Sequence, residues 1–178
     1  MNPTRRGAAV TLLATLLLPL GGLAQPIDAP NFIPISPLLA TSGQPTEDAL
    51  RALGTRGFRA VVYLAPGNVA NAVHAEAELL AAQGIEFIPI PIPFGAPEHA
   101  HVQAVFAALN RLRDRKTLVH CEINMRASTL VFLYRAIELR DDPASAYQAV
   151  AQVWSPRGVW RRLVVDELAA SDLQFDPY

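Results

Sequence analysis

The segment "TLVHCEINMRASTLVFLYRAIELR", residues 117–140, constrains the chain most. A run of four residues, too short and too apolar to be amphipathic, ends at His120-Cys121. After a polar break comes "STLVFLYRAIELR" (128–140), a strongly apolar helical stretch. A short apolar strand that runs directly into a buried helix belongs to a layered α/β architecture, with the strand inside the sheet and the helix covering it. The text on either side repeats the pattern. "LLATSGQP" (38–45) reads as a strand turning at Gly43, and "TEDALRALGTRG" as a helix capped by Thr46 and stopped by Gly57. "FRAVVYLA" (58–65) and "IEFIPI" (85–90) read as strands, with a helix over 71–84 between them. "PEHAHVQAVFAALNRLRDR" (97–115) places Val102, Val105, Phe106 and Leu109 on one helical face. Asp142-Pro143 opens another helix, and a last one follows Ser155-Pro156. The expected fold is one three-layer α/β domain over 38–178: a short, mainly parallel central sheet flanked by helices.

Two stretches precede that domain. Residues 25–37 carry four prolines and read as an extended N-terminal arm. Residues 1–24 have the order of a signal peptide. Arg5-Arg6 lead, an apolar run follows from Ala8 to Leu20, and Gly22 and Ala24 stand where a signal peptidase reads small residues. The apolar run is interrupted by Pro19 and Gly21-Gly22, so it suits cleavage after Ala24 and not a permanent membrane span. The expected location is periplasmic or secreted. Half of the residues are hydrophobic (51%), 17% are charged and the net charge is −1. That balance offers nucleic acid no basic excess.

Export makes the cysteine count informative, because Cys121 is the only one and no internal disulfide can form. A lone thiol is either buried core or chemically useful. A strand–turn–helix junction supplies unpaired amides and partial positive charge at the helix N-terminus, an environment that favours anions and a thiolate. Arg126 adds a planar, permanently charged fork suited to oxyanions. Asn124 tolerates the left-handed backbone that a tight turn demands. The amides of Glu122, Ile123, Asn124, Met125 and Arg126 would complete a cradle, with Ser128 placed to offer its hydroxyl to the sulfur. His120 either orients the loop or is a satisfied core histidine. The plain alternative is a small buried Cys121 and a surface Arg126. His99 and His101 form an H-x-H pair without a visible third ligand, so no metal site is expected. The chemistry calls for no cofactor.

"VHC…R.S" after an apolar strand resembles the signature loop of the cysteine-dependent protein tyrosine and dual-specificity phosphatases. With "TSGQPTEDALRALGTRGFRAVVYLAP" and the connection "IPIPFGAP", the likeness extends over most of residues 38–140, and Trp154 and Trp160 extend it further. The chain is similar to small bacterial tyrosine-phosphatase-like proteins of dual-specificity type. The resemblance implies Cys121 as nucleophile, Arg126 as phosphate ligand, and a phosphorylated small molecule or phosphopeptide as substrate. The sequence departs from the pattern in three places. Four residues, not five, separate Cys121 from Arg126, and one helical position is about 100° of rotation. Glu122 puts an acid at the cradle's edge. Pro93 stands where the family's aspartic acid is sought, leaving Glu98, His99 or Asp114 as candidate acids. Two other readings share the loop: a catalytically weak phosphate- or anion-binding interaction protein, and a rhodanese-like sulfurtransferase, whose active cysteine is commonly followed by four residues and an arginine.

Overall fold

The structure, a computed structural model, describes residues 27–176. The leader expected over 1–24 lies outside the described residues. Among the described residues five strands form one sheet in the order β1-β2-β5-β3-β4: β1 (Ile33–Ser36), β2 (Leu39–Ser42), β3 (Ala60–Tyr63), β4 (Glu86–Pro89) and β5 (Thr117–His120). β1 pairs antiparallel with β2, and the other three pairings are parallel. β5 is the middle strand, buried along its whole length, which is why "TLVH" reads as an unbroken apolar run.

Among the described residues six helices flank the sheet: α1 (Glu47–Arg51), α2 (Glu76–Ala81), α3 (His99–Arg111), α4 (Met125–Ile137), α5 (Pro143–Ala151) and α6 (Val159–Ala170). One core joins Leu50, Leu53 and Leu80 of the α1 and α2 region to Val61 and Leu118 on one sheet face. A larger core joins Val62 and Val119 on the other face to α3, α4, α5 and α6, with Leu130, Leu133 and Trp160 fully buried. Alternate residues of a strand face opposite layers, so neighbours such as Leu118 and Val119 serve different cores. Thr46 and Asp142 cap α1 and α5, accepting from the amides of Ala49 and Ser145, as their positions suggest. No helix among the described residues is long and apolar enough to cross a membrane.

The sequence-based boundaries shift in four places. The helix expected to run to a stop at Gly57 ends at Arg51, and turns fill the rest. Residues 33–36, expected to end a free arm, form the edge strand β1, where prolines are tolerated because one side of the ladder is open. The helix expected over 71–84 is only Glu76–Ala81, and turns occupy the segment ahead of it. α4 starts at Met125, three residues earlier than the apolar stretch suggests. Because β2, β3, β4 and β5 run parallel, their C-terminal ends share one edge of the sheet. Ligands of open α/β sheets bind at that edge.

Candidate active site

Cys121 follows β5 at this edge, its amide donating to the Ser42 carbonyl at 3.2 Å. The chain then turns through Asn124, whose backbone is left-handed (φ 74°, ψ 0°) and which is the N-cap of α4. Asn124 does not cap the helix with its side chain. Its amide group turns away instead, donating to the Asn31 carbonyl (2.6 Å) and to Thr41 Oγ1 (3.1 Å). The first-turn amides of α4 are therefore left for whatever occupies the loop. Donors from outside hold the loop's carbonyls. The Glu122 oxygen accepts from Gln44 N–H (3.1 Å) and Asn71 Nδ2 (3.0 Å), and the Ile123 oxygen accepts from Asn31 Nδ2 (2.9 Å).

Arg126 lies in the first turn of α4 and is 4% exposed. Its Nε donates to the Ile92 carbonyl at 3.0 Å, and its guanidinium lies 5.0 Å from the centroid of the Phe94 ring. Phe94 rests against Trp154 and Trp160, and Trp160 Nε1 donates to the Phe94 carbonyl at 2.8 Å. The loop after β4 thus props the arginine. Glu122, the acid at the cradle's edge, has its carboxylate 3.8 Å from the guanidinium of Arg126, so the loop carries its own counter-charge.

Cys121 is fully buried. Beneath it His120 is locked: Nε2 sits 2.7 Å from Glu76 Oε1, and the ring stacks on Tyr63 at 4.7 Å. Glu76, also buried, accepts from Gln44 Nε2 at 2.9 Å through its second oxygen. Burial, reinforced by the Glu76 charge, pushes the Tyr63 phenol up to about 12, so it remains a neutral donor across the working pH range. The buried side-chain atoms lacking a protein partner among the described residues are Gln44 Oε1, His120 Nδ1 and Asn124 Oδ1. All three belong to this scaffold, and unsatisfied polar atoms concentrate where function outweighs stability.

Other expected contributors stand elsewhere. Ser128 gives its proton to the Met125 carbonyl (3.3 Å), which Thr129 also approaches at 2.9 Å, so that hydroxyl serves the helix turn and not the sulfur. Glu98 is the N-cap of α3, in a capping box with His101. His99 Nδ1 sits 2.7 Å from Glu167 Oε1 on α6. Glu98 and His99 line a separate cleft with Arg162 and Asp166, so these two face α6 and not Cys121, and Asp114 is exposed in the turn ahead of β5, at the other end of that strand from Cys121. Pro93 is exposed on the loop that props Arg126. Sequence reasoning missed Asn31, Gln44, Tyr63, Asn71, Glu76 and Phe94. The available signal was topological, since Gln44, Tyr63 and Asn71 all end or follow parallel strands. The assembled site is a buried thiol just ahead of an uncapped helix N-terminus, with a buried guanidinium in the first turn of that helix. Such a site can hold a tetrahedral oxyanion and attack it.

A family model described as "DSP-PTPase phosphatase fused to NAD+ Kinase" matches residues 36–161. No curated protein matches the chain. Among solved structures, a DUF442 protein from Shewanella putrefaciens CN-32 superposes with a TM-score of 0.74 at 26% identity, covering 80% of this chain and 94% of that one. The active form of Tk-PTP gives 0.63 at 23% identity, covering 80% and 97%. The core catalytic domain of the PP-IP phosphatase SIW14 from S. cerevisiae gives 0.65 at 13% identity, covering 85% and 100%. The last two likenesses are of fold alone.

Proposed function

The chain belongs to the family of DSP-PTPase phosphatases fused to NAD+ kinase, and from that premise we propose that it is a cysteine-dependent phosphomonoesterase. The observation that carries this reading is the placement of Cys121 and Arg126 on either side of the left-handed Asn124, at the uncapped start of α4. In the reaction Cys121 sulfur attacks phosphorus while the ester P–O bond breaks, and the leaving oxygen takes its proton from solvent. Water then attacks the phosphocysteine, the S–P bond breaks, and inorganic phosphate leaves with the thiolate restored. Arg126 and the amides at the start of α4 stabilise the equatorial oxygens throughout. Substrates are phosphorylated small molecules or phosphopeptides. The order of basic, apolar and small residues over 1–24 supports work outside the cytoplasm.

The test is release of phosphate from p-nitrophenyl phosphate by the purified chain. Cys121→Ser abolishes it, and Arg126→Ala lowers kcat/KM by about 10²-fold or more, the scale of a lost oxyanion donor. Acid quenching during turnover traps one phosphoryl group on a peptide containing Cys121. Because Glu98 and His99 face α6 and Pro93 carries no proton, alkyl phosphates are hydrolysed about 10²–10⁴-fold more slowly than nitrophenyl esters, the range that general acid catalysis supplies. Undiminished turnover by Cys121→Ser overturns the mechanism.

A further inference from the structure

The N-terminal ends of the parallel strands form the edge of the sheet opposite the cradle, and backbone hydrogen bonds draw its residues into a row. The Thr117 amide donates to the Leu38 carbonyl at 2.8 Å, the Arg59 amide to the Lys116 carbonyl at 2.8 Å, and the Glu86 amide to the Arg59 carbonyl at 3.0 Å. Leu38, Lys116 and Arg59 therefore stand side by side, each just ahead of its strand. The turn between α3 and β5 adds Arg113 and Arg115, both exposed. Two acids share this edge. Glu86 is held between Arg111 and Arg115 at 2.7 and 2.6 Å, and Asp114 is exposed. Beyond it, Glu138 and Asp141 are bonded to Asn110 and Arg135. The chain carries a net charge of −1, yet its cations gather at this edge.

The same edge is apolar between its charges. Leu38, in the turn joining β1 to β2, is 44% exposed. A cavity opens on each side of that strand pair, and Ser36 and Leu39 line both. One, of about 160 Å³, has Leu109, Leu112 and Leu139 with Arg113 and Arg115. The other, of about 320 Å³, has Phe32, Pro34 and Phe58 with Arg56 and Lys116. Neither lining contains a carboxylate. Lys116 Nζ lies 4.6 Å from the Phe58 ring centroid and donates to the Arg56 carbonyl at 2.8 Å, so its stem covers apolar surface while its charge stays at the rim. Cations around apolar ground complement a surface that presents anions above hydrocarbon. A nucleic-acid duplex offers phosphates but leaves Leu38 in water, and an uncharged bilayer leaves the cations without partners.

We propose that this edge docks the chain on an anionic phospholipid surface, with Leu38 seated among the head groups and upper acyl chains and Arg59, Arg113 and Lys116 against lipid phosphates. Strands β2, β3, β4 and β5 all run away from the docked edge, so the cradle at their far ends points away from the lipid, toward dissolved substrates. The docking does not depend on the phosphatase reading.

The test is cosedimentation of the full chain with vesicles of phosphatidylcholine alone or of equal parts phosphatidylcholine and phosphatidylglycerol. Affinity for the mixed vesicles is about tenfold or more above that for phosphatidylcholine and falls as salt is raised. Arg113→Gln lowers it about fivefold, the share of one cation at an anionic surface. Leu38→Ser lowers it about tenfold, the scale of one leucine withdrawn from water. Both side chains are exposed, so both variants keep the parent's melting temperature. Arg162→Gln, beside the other end of α3, leaves binding within about twofold. All these proteins share residues 1–26, so the differences report on the edge alone. Equal binding to the two vesicles, or full binding by Arg113→Gln and Leu38→Ser, overturns the docking. Release of bound chain by a DNA duplex at equal phosphate concentration shows that the edge reads charge alone and overturns the lipid assignment. Vesicle-bound chain hydrolyses p-nitrophenyl phosphate as the free chain does, and loss of hydrolysis on binding overturns the orientation. A chain that binds vesicles but hydrolyses nothing, bound or free, refutes the phosphatase and leaves the docking in place.

Discussion

At Gly43 an added methyl carbon would lie 2.9 Å from the Glu122 carbonyl oxygen, 2.9 Å from Ile123 Cα and 2.9 Å from Pro30 Cβ. Two of these are backbone atoms of the cradle, so the methyl is accommodated only if the loop moves away from β2. Gly43→Ala is therefore expected to cost about 1–3 kcal/mol in urea unfolding, the range of an overpacked site. It should also lower kcat/KM for p-nitrophenyl phosphate more than a distant substitution of equal stability cost. Equal kinetics in the two proteins would show that the loop tolerates the shift. The residue scale also separates what was legible from what was not. Cys121, Asn124 and Arg126 lie within six residues, and their chemistry follows from strand–turn–helix geometry alone. Ser128 has the right spacing, yet its hydroxyl turns back to the Met125 carbonyl, a bond that spacing cannot distinguish from one to sulfur. Glu76 reaches His120, and Gln44 reaches Glu76, only because the fold brings distant segments together, and neither carries a local signature.

At the scale of elements, the connection after β4 matters most. "PIPFGAP" is irregular because its prolines remove backbone donors, and its position is set by other means. Ile92 is fully buried and its amide donates to the Leu64 carbonyl at 3.0 Å, while its own carbonyl holds Arg126. Trp160 fixes the next turn through the Phe94 carbonyl. Trp160→Phe keeps most of the ring packing and removes only that hydrogen bond. The expected outcome is a modest stability loss, about 0.5–1.5 kcal/mol. Phosphate inhibition should weaken at the same time, because the Phe94 face under Arg126 is no longer anchored. Unaltered phosphate affinity would show that Arg126 is held by Ile92 alone. The strand–helix alternation was legible from hydrophobic periodicity, and the middle position of β5 from its unbroken burial. The short α2 was not. Asn71 sits in a segment that reads as helix, but its side chain holds the Glu122 carbonyl, and turns run up to Glu76. β1 was read as a proline-rich arm because an edge strand and an extended arm share the same backbone.

The described residues form two apolar cores separated by a five-stranded sheet, with the polar cluster Gln44–Glu76–His120–Tyr63 at the sheet edge between its layers and the cradle. Ionising a member of that cluster acts on both layers, which ties global stability to alkaline pH. Tyr63 sits opposite His120 across the β3–β5 ladder, and burial, followed by the Glu76 charge, raises its phenol to about 12 from an ordinary value of about 10. The phenol is neutral when protonated, so between these values the folded chain holds a proton that the unfolded chain has released. Stability from this group is complete below about pH 10 and is lost as pH rises toward about 12. Tyr134 is raised in the same direction by burial and adds to the loss. Urea midpoints measured from neutral to strongly alkaline pH should hold steady and then fall in that window, with the rise of tyrosinate absorbance tracking unfolding. Tyr63→Phe removes the Tyr63 proton but leaves Tyr134, so its midpoint should fall less steeply over the same interval while its ring still stacks on His120. A variant whose alkaline slope matches that of the parent would show that Tyr63 ionises without resistance from the fold, and that the polar cluster does not link the two layers.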